Sequence, residues 1–453
     1  KCFEDASGKD LTQFSLWYHQ AGTPQITVSS TYDASAKTLT LSLEQMIPAT
    51  PGQSTKEPMH IPLRFALISE NGSEASASAI SGGDVTGDVL HLTQRAQTFT
   101  FSGIGSRPVV SLNRGFSAPV TLHFAQSAED LGHIARHDSD LFARWQAITD
   151  LALPVLTDAA KTARDGGSVA TSQAFIDVLL AVAADEALEP AFRAQALSLP
   201  SEADIARELG GNNDPDAIHA GRQAVLSAIA TAGADVFRKL HAAHSASGPF
   251  SPDAAGAGKR ALKNIALSFL SIAENSPALA ADAFGRADNM TDLSQALTIL
   301  AHRFPDAAET KEALAAFEAR FASNALVLDK WFTIQATIPG AASLERVKAL
   351  MTSPHFQPTN PNRVRSLVGT FAFGNATGFN RADGAAYQFF AEQILAIDPR
   401  NPQLAARLLT AMRSWRLLES GRADKARAAL ATIEASASLS TDVRDIVERI
   451  LKG

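Results

Sequence analysis

The residues of this sequence best suited to chemistry are arginines at two helix starts. In Asn360-Pro-Asn-Arg-Val-Arg365 an Asn cap and a proline at the first helical position open a helix, and two arginines occupy its first turns. A helix N-terminus carries partial positive charge and usually attracts Asp or Glu, so each exposed cation there costs about 0.3–1 kcal/mol. The arrangement makes sense if a carboxylate or phosphate binds there. It also fits ion pairs with acids on a neighbouring helix, which charge alone makes the commoner outcome. The Asn-Pro start recurs at Asn401-Pro402, a spacing close to that of HEAT-type repeats, and each helix carries an arginine in its second turn, Arg365 and Arg407.

Other candidates fall short of a site. His133-Ile-Ala-Arg-His137 has the His spacing of a zinc peptidase helix, but Ile134 stands where the general-base Glu is required. Two histidines without a third ligand make a poor metal site, so this pair reads as partly exposed residues on an amphipathic helix. His241 and His244 read the same way. Gly256-Ala-Gly258-Lys259 hints at a phosphate loop, yet Asp253 stands where a P-loop needs Gly, and a flexible connection between helices is expected. Cys2 has no evident activating partner, and no Gly-x-Ser-x-Gly elbow occurs. Trp17, Trp145, Trp331 and Trp415 lie in helical patterns and are expected to pack in cores. Asp329-Lys330 is expected to form a solvated or salt-bridged edge.

The elements that must position these residues fall into two classes. From Ile26 to Phe124 the period is two. Leu39, Leu41 and Leu43 alternate with polar residues, as do Leu63, Phe65 and Leu67, which run into the hairpin signal Asn71-Gly72. Further runs at Val89–Leu92, Thr98–Phe101, Val109–Leu112 and Val120–Phe124 bring the total to about seven strands, a sandwich of roughly a hundred residues. After Phe124 the period becomes helical. Ser127 with Asp130, and Ser201 with Asp204, are capping pairs, and Gly210-Gly211 ends the second helix. Leu293, Leu297, Leu300 and Phe304 share a face that Pro305 terminates, and Val443, Val447, Ile450 and Leu451 mark the last helix. The rest of the chain has room for roughly sixteen to twenty helices, more than one bundle holds, so stacked pairs in a superhelix are expected. The fold class is therefore α+β multidomain: a small antiparallel β-sandwich followed by a large all-α, HEAT/armadillo-like domain.

With 453 residues, 45% of them hydrophobic, the chain is large enough for two or three well-filled units. A net charge of -7 argues against a nucleic-acid partner. No apolar run is long enough for a transmembrane helix, which argues against a membrane partner. Cys2 is the only cysteine, so no internal disulfide forms, which fits a reducing, cytoplasmic location. The opening segment starts with Lys1, lacks a signal-peptide core, and places Leu11, Phe14, Trp17 and Tyr18 at helical spacing. It reads as the last helix of a domain whose earlier part is missing.

Six stretches carry a family resemblance: Trp17-Tyr-His-Gln-Ala-Gly-Thr-Pro24, Pro48-Ala-Thr-Pro51, His60-Ile-Pro62, Asp329-Lys-Trp-Phe332, Asn360-Pro-Asn-Arg-Val-Arg-Ser366 and Arg400-Asn-Pro-Gln403. In sequence and order they resemble bacterial aminopeptidase N, a family of zinc-dependent gluzincin exopeptidases, over nearly the whole chain. The resemblance implies that residues 1–26 end a missing catalytic domain, 27–128 form the sandwich and 129–453 the helical superhelix. It implies a zinc-dependent removal of N-terminal residues from peptides by the full-length parent. This part would enclose the active-site chamber, limit access and contact the substrate's carboxyl side. The family's zinc ligands, substrate-amine motif and transition-state tyrosine belong to the missing portion, so this chain alone is expected to bind no zinc and to be inactive. Its implied partners are the catalytic domain of the same protein and peptide substrates. Carried over by motif, Arg365, Gln403 and Arg407 would bind substrate, the two arginines close together on one face. The rival expectations are a free-standing helical-repeat adaptor for a protein partner and a separate subunit that rejoins a catalytic chain.

Overall fold

Apolar–polar alternation becomes strand wherever the sequence carries it. The computed structural model describes residues 2–245 and 250–452; Lys1 and Gly453, the outer limits of the expected domains, lie outside the described residues. Among the described residues ten strands form the β domain: β1 Gln25–Asp33, β2 Thr38–Met46, β3 Ile61–Ile68, β4 Glu74–Ala75, β5 Ala79–Ser81, β6 Asp84–Thr86, β7 Val89–Leu92, β8 Ala96–Ser102, β9 Val109–Leu112 and β10 Thr121–Phe124. One sheet runs β10-β1-β2-β8-β5; the other runs β4-β3-β7-β6, with β9 also on β3. Their inner faces meet through Leu39, Leu41, Leu43, Phe99 and Phe101 from the first sheet and Ile61, Leu63 and Leu90 from the second, all 2% exposed or less. Register explains the choice of residues: Leu39 lies opposite Phe101 and Leu41 opposite Phe99, so each buried position faces another.

Two details depart from the sequence expectation. β4, β5 and β6 are two or three residues long, too short to show an alternation. β10 pairs with β1 in parallel, Gln25 opposite Thr121, while the other pairings of the described strands are antiparallel. Nearly the whole unit separates these two strands in sequence, which supplies the long connection a parallel pair requires.

Helices follow once strand pairing stops at Phe124. Ser127 accepts from the Asp130 amide at 3.0 Å and opens helix Ala128–His137. Ser201 and Asp204 form a reciprocal capping box, and Gly210 closes that helix at φ 75°. Helix Met290–Arg303 buries Leu293, Leu297 and Leu300, and Thr441–Lys452 buries Val443, Val447 and Ile450. Gly256-Ala-Gly258-Lys259 is no flexible connection. It lies in the first turns of helix Ala254–Ala273, capped by Asp253, whose carboxylate accepts from the Gly256 amide at 2.6 Å. Gly258 is a contact glycine there, because a Cβ would stand 3.0 Å from the Ala191 amide nitrogen.

The opening segment forms two short helices, Cys2–Ser7 and Leu16–His19, in place of the single helix expected. Trp17 Nε1 donates to the His60 carbonyl at 3.0 Å and Gln13 Nε2 to that of Thr93 at 2.6 Å, which fixes the second helix on the sandwich. Trp331 is buried, with Nε1 donating to the Leu314 carbonyl; Trp415 is partly buried and donates to that of Ile450. By contacts the chain divides into two units, Lys1–Leu151 with Asp177–Val182, and Ala152–Ile176 with Ala183–Gly453.

Candidate functional site

The two arginines of the Asn360 motif have separate fates. Asn360 caps its helix by accepting from the Asn362 amide at 2.9 Å, and Pro361 takes the first position. Arg363, 5% exposed, turns inward: it pairs with Asp329, donates through Nε to the His355 carbonyl at 3.0 Å, and lies over the Phe332 ring, 5.5 Å from its centroid. Ser366 Oγ adds a second hydrogen bond to Asp329 at 2.9 Å. The stretch Asp329–Phe332 thus latches helix Ala325–Ala336 to the segment that carries Arg365, and the ion-pair expectation holds for Arg363.

Arg365 goes the other way. It is exposed, its Nη1 donates to Asn362 Oδ1 at 2.9 Å, and among the described residues it forms no ion pair. It lines an open groove of about 630 Å³ with Leu326, Asp329, Lys330, Thr333 and Thr370. The backbone beneath it, Arg365–Gly369, is a π-helical turn, a local widening often found at functional sites. Thr370 Oγ1 donates to the Arg365 carbonyl at 3.0 Å. Among the described residues the groove therefore presents two exposed cations, Arg365 and Lys330, over a floor whose one carboxylate, Asp329, is already engaged.

Gln403 and Arg407 are exposed on helix Pro402–Leu409, which Asn401 caps by accepting from the Leu404 amide at 3.0 Å. That helix packs on the Arg365 segment where Gly369 lacks a side chain: a Cβ would stand 3.0 Å from Leu408 Cδ2. The carrying segments are in contact, but of the three residues Arg365 alone lines the groove.

Past Thr298, which lines both, a second cavity of about 710 Å³ continues along helices Pro215–Ala232 and Met290–Arg303. Its wall includes His219, Arg222, Gln223, His302, Arg303 and Phe373. No sequence motif marks these residues, because they come from two helices and a later segment that packing alone brings together. One signal was present: Arg222 follows buried Ile218 by four positions and Arg303 follows buried Ile299 by four, so both are cations on apolar faces.

Burial lowers the pKa of His302, whose Nε2 contacts the Ile334 carbonyl at 3.1 Å. The folded chain therefore binds fewer protons here than the unfolded chain, whose His titrates near 6.5. Stability contributed by the neutral ring is present above that value and is lost as the pH falls below it. Depressed carboxylates, such as Asp130 held down by its hydrogen bonds from Arg107, act below 3.8, whereas His60, His137, His241 and His244, also lowered by burial, share the His302 window. Urea midpoints measured from pH 7 to pH 5 should fall for the native chain and fall less for His302→Gln; equal slopes would assign the acid sensitivity elsewhere.

The remaining histidine pairs build no metal centre. The His133 and His137 rings lie 4.7 Å apart, tilted by 49°, but His133 Nε2 is taken by the Ser69 carbonyl at 2.8 Å. Among the described residues no group of three His, Cys, Asp or Glu is placed to hold an ion. The zinc implied by the resemblance thus finds no fitting donor set in these residues.

Comparison with known proteins gives a consistent result. A family model described as a domain of unknown function with ARM repeats, DUF3458_C, matches residues 128–452, and one described as a domain of unknown function with an Ig-like fold, DUF3458, matches residues 22–125. The chain is 35% identical to aminopeptidase N of Escherichia coli, over 100% of this chain and 51% of that protein. It is 39% identical to aminopeptidase N of Caulobacter vibrioides, over 99% and 51%. The crystal structure of Legionella pneumophila aminopeptidase A in complex with aspartic acid superposes with a TM-score of 0.83 at 28% identity, covering 99% of this chain and 51% of that one. The chain spans about half the length of the curated relatives it matches. An Ig-like domain followed by ARM repeats, matched from end to end, places the chain in the bacterial aminopeptidase N family, as homologue of its C-terminal half.

Proposed function

We propose that this chain forms the sandwich (27–128) and helical (129–453) domains of a zinc-dependent aminopeptidase that removes N-terminal residues from peptides. The helical domain walls the chamber and limits which peptides enter. Arg365, with Gln403 and Arg407 on the adjoining helix, receives the carboxyl side of the substrate. The zinc and the bond-breaking groups come from the catalytic domain of the same protein, so the chain alone binds no zinc and turns over nothing. A cytoplasmic setting belongs to the same proposal. Its support is that none of the helices among the described residues is long and apolar enough to cross a membrane, and that the one cysteine, Cys2, is free.

One observation carries the role of Arg365. Two residues away Arg363 is buried and paired, whereas Arg365 stands in an open groove with, among the described residues, only an amide oxygen as side-chain partner. A guanidinium left in that position is suited to a carboxylate, which it can grip with two parallel hydrogen bonds. In the intact enzyme Arg365→Ala should raise KM for short peptides about tenfold or more, the loss of one charge-assisted hydrogen bond. An aminoacyl reporter without a carboxylate should be unaffected. Equal loss on both substrates would make the residue structural.

A further inference from the structure

The second cavity holds an unbalanced pair of cations. Arg222 and Arg303 enter it from two helices, and among the described residues neither forms an ion pair. Their hydrogen bonds go to neutral oxygens. Arg222 donates through Nε to the Pro200 carbonyl at 2.9 Å and through Nη2 to the Leu199 carbonyl at 3.4 Å; Arg303 donates to Gln223 Oε1. These bonds aim the guanidinium groups without neutralising them. Among the described residues Glu202 is the one carboxylate in the lining, and it holds His219 Nδ1 at 2.6 Å. Outside the lining, Arg346 adds positive charge toward His302, partly offset by Asp306, and carries a buried Nη1 without a partner among the described residues.

The charges are uncomfortable there. Burial, and after it the field of Arg222, push the Arg303 pKa down to about 10. Burial lowers that of Arg222 as well, against the opposing pull of Glu202. A guanidinium keeps its proton at neutral pH in such a place, so the strain is relieved by a counter-anion. The remaining lining suits a small ligand that is anionic at one end: Gln295 and Thr298 offer neutral hydrogen bonds, Ile299 and Phe373 apolar surface.

We propose that Arg222 and Arg303 form a binding site for an oxyanion, a carboxylate or a phosphate, in addition to the groove at Arg365. The proposal does not depend on the role given to Arg365, whose replacement by Ala should leave it intact.

The test is a thermal-melt titration of this chain at constant ionic strength with sodium phosphate, sodium acetate and tri-glutamate as separate probes. Ligand at a hundredfold excess over Kd should raise Tm by about 2–5 °C. A response to phosphate alone assigns a free-anion site, and a response to the carboxylates assigns a peptide or organic-acid site; either supports the proposal. Arg303→Met should melt at or above the native chain without ligand, since a lone charge has gone, and should bind the active probe at least about tenfold more weakly. Arg222→Met should lose the response likewise and serves if the first variant does not fold. No rise with any probe in the native chain, or an equal rise in the Met variants, would overturn the site.

Discussion

Asp329→Ala should destabilise the helical unit by about 3–5 kcal/mol, the loss expected when a buried guanidinium is left without its counter-charge. Arg363 is 5% exposed, and Asp329 is the one acid with which it pairs among the described residues. What would remain is the His355 carbonyl at 3.0 Å and the Phe332 ring, neither of which carries a full negative charge. Ser366 Oγ would lose its 2.9 Å acceptor in the same step. The damage arises from the charge stranded, not from the net worth of the pair, so Asp329→Ala combined with Arg363→Met should recover most of the loss. Urea midpoints followed by the helical circular dichroism signal distinguish the cases. A single-variant loss below about 1 kcal/mol, the scale of an exposed pair, would mean that water reaches Arg363. On the role proposed for Arg365, whose segment the latch supports, the single variant should also weaken peptide binding by the proposed full-length enzyme.

That latch shows how far local sequence reaches. The Asn-Pro starts, the Ser127 and Ser201 caps and the alternation in β2 were legible because each depends on residues within a turn or a strand of one another. Asp329-Lys330 was legible as a solvated or salt-bridged edge, and of the two outcomes Asp329 takes the second, pairing with Arg363. Which arginine turns inward was not legible, since Arg363 and Arg365 differ only in the helix face they occupy and that face is chosen by Phe332 on another helix. The same limit hid the parallel β1–β10 pairing and the Arg222–Arg303 cavity, whose members meet through packing between distant segments. The glycines of Gly256-Ala-Gly258 misled for a related reason: glycine raises the odds of a loop, yet here it permits Ala191 to approach a capped helix.

Glycine substitution should therefore change sign with location. Gly221 lies in helix Pro215–Ala232, one position before Arg222, and is buried. A Cβ there would stand 2.6 Å from the Ala159 carbonyl carbon and the Ala160 nitrogen, and 2.8 Å from the Ala159 oxygen. All three are backbone atoms, which cannot rotate aside as a side chain end can. Overpacking of this kind costs about 1–3 kcal/mol, and the rigid partners place it at the upper end. Alanine's better helix propensity returns about 1 kcal/mol, so Gly221→Ala should lose about 2 kcal/mol. Gly285, in helix Ala278–Arg286, is exposed and has nothing within 4 Å of a built Cβ. There only the propensity term and the smaller unfolded-chain entropy act, and Gly285→Ala should gain about 0.5–1 kcal/mol. Paired urea titrations give the two signs directly. If Gly221→Ala is neutral, helices Leu141–Arg164 and Pro215–Ala232 can separate at no cost, and the position of Arg222 in its cavity is not held by this contact. If it destabilises, the variant should also weaken the oxyanion response, because the helix that moves carries His219, Arg222 and Gln223 together.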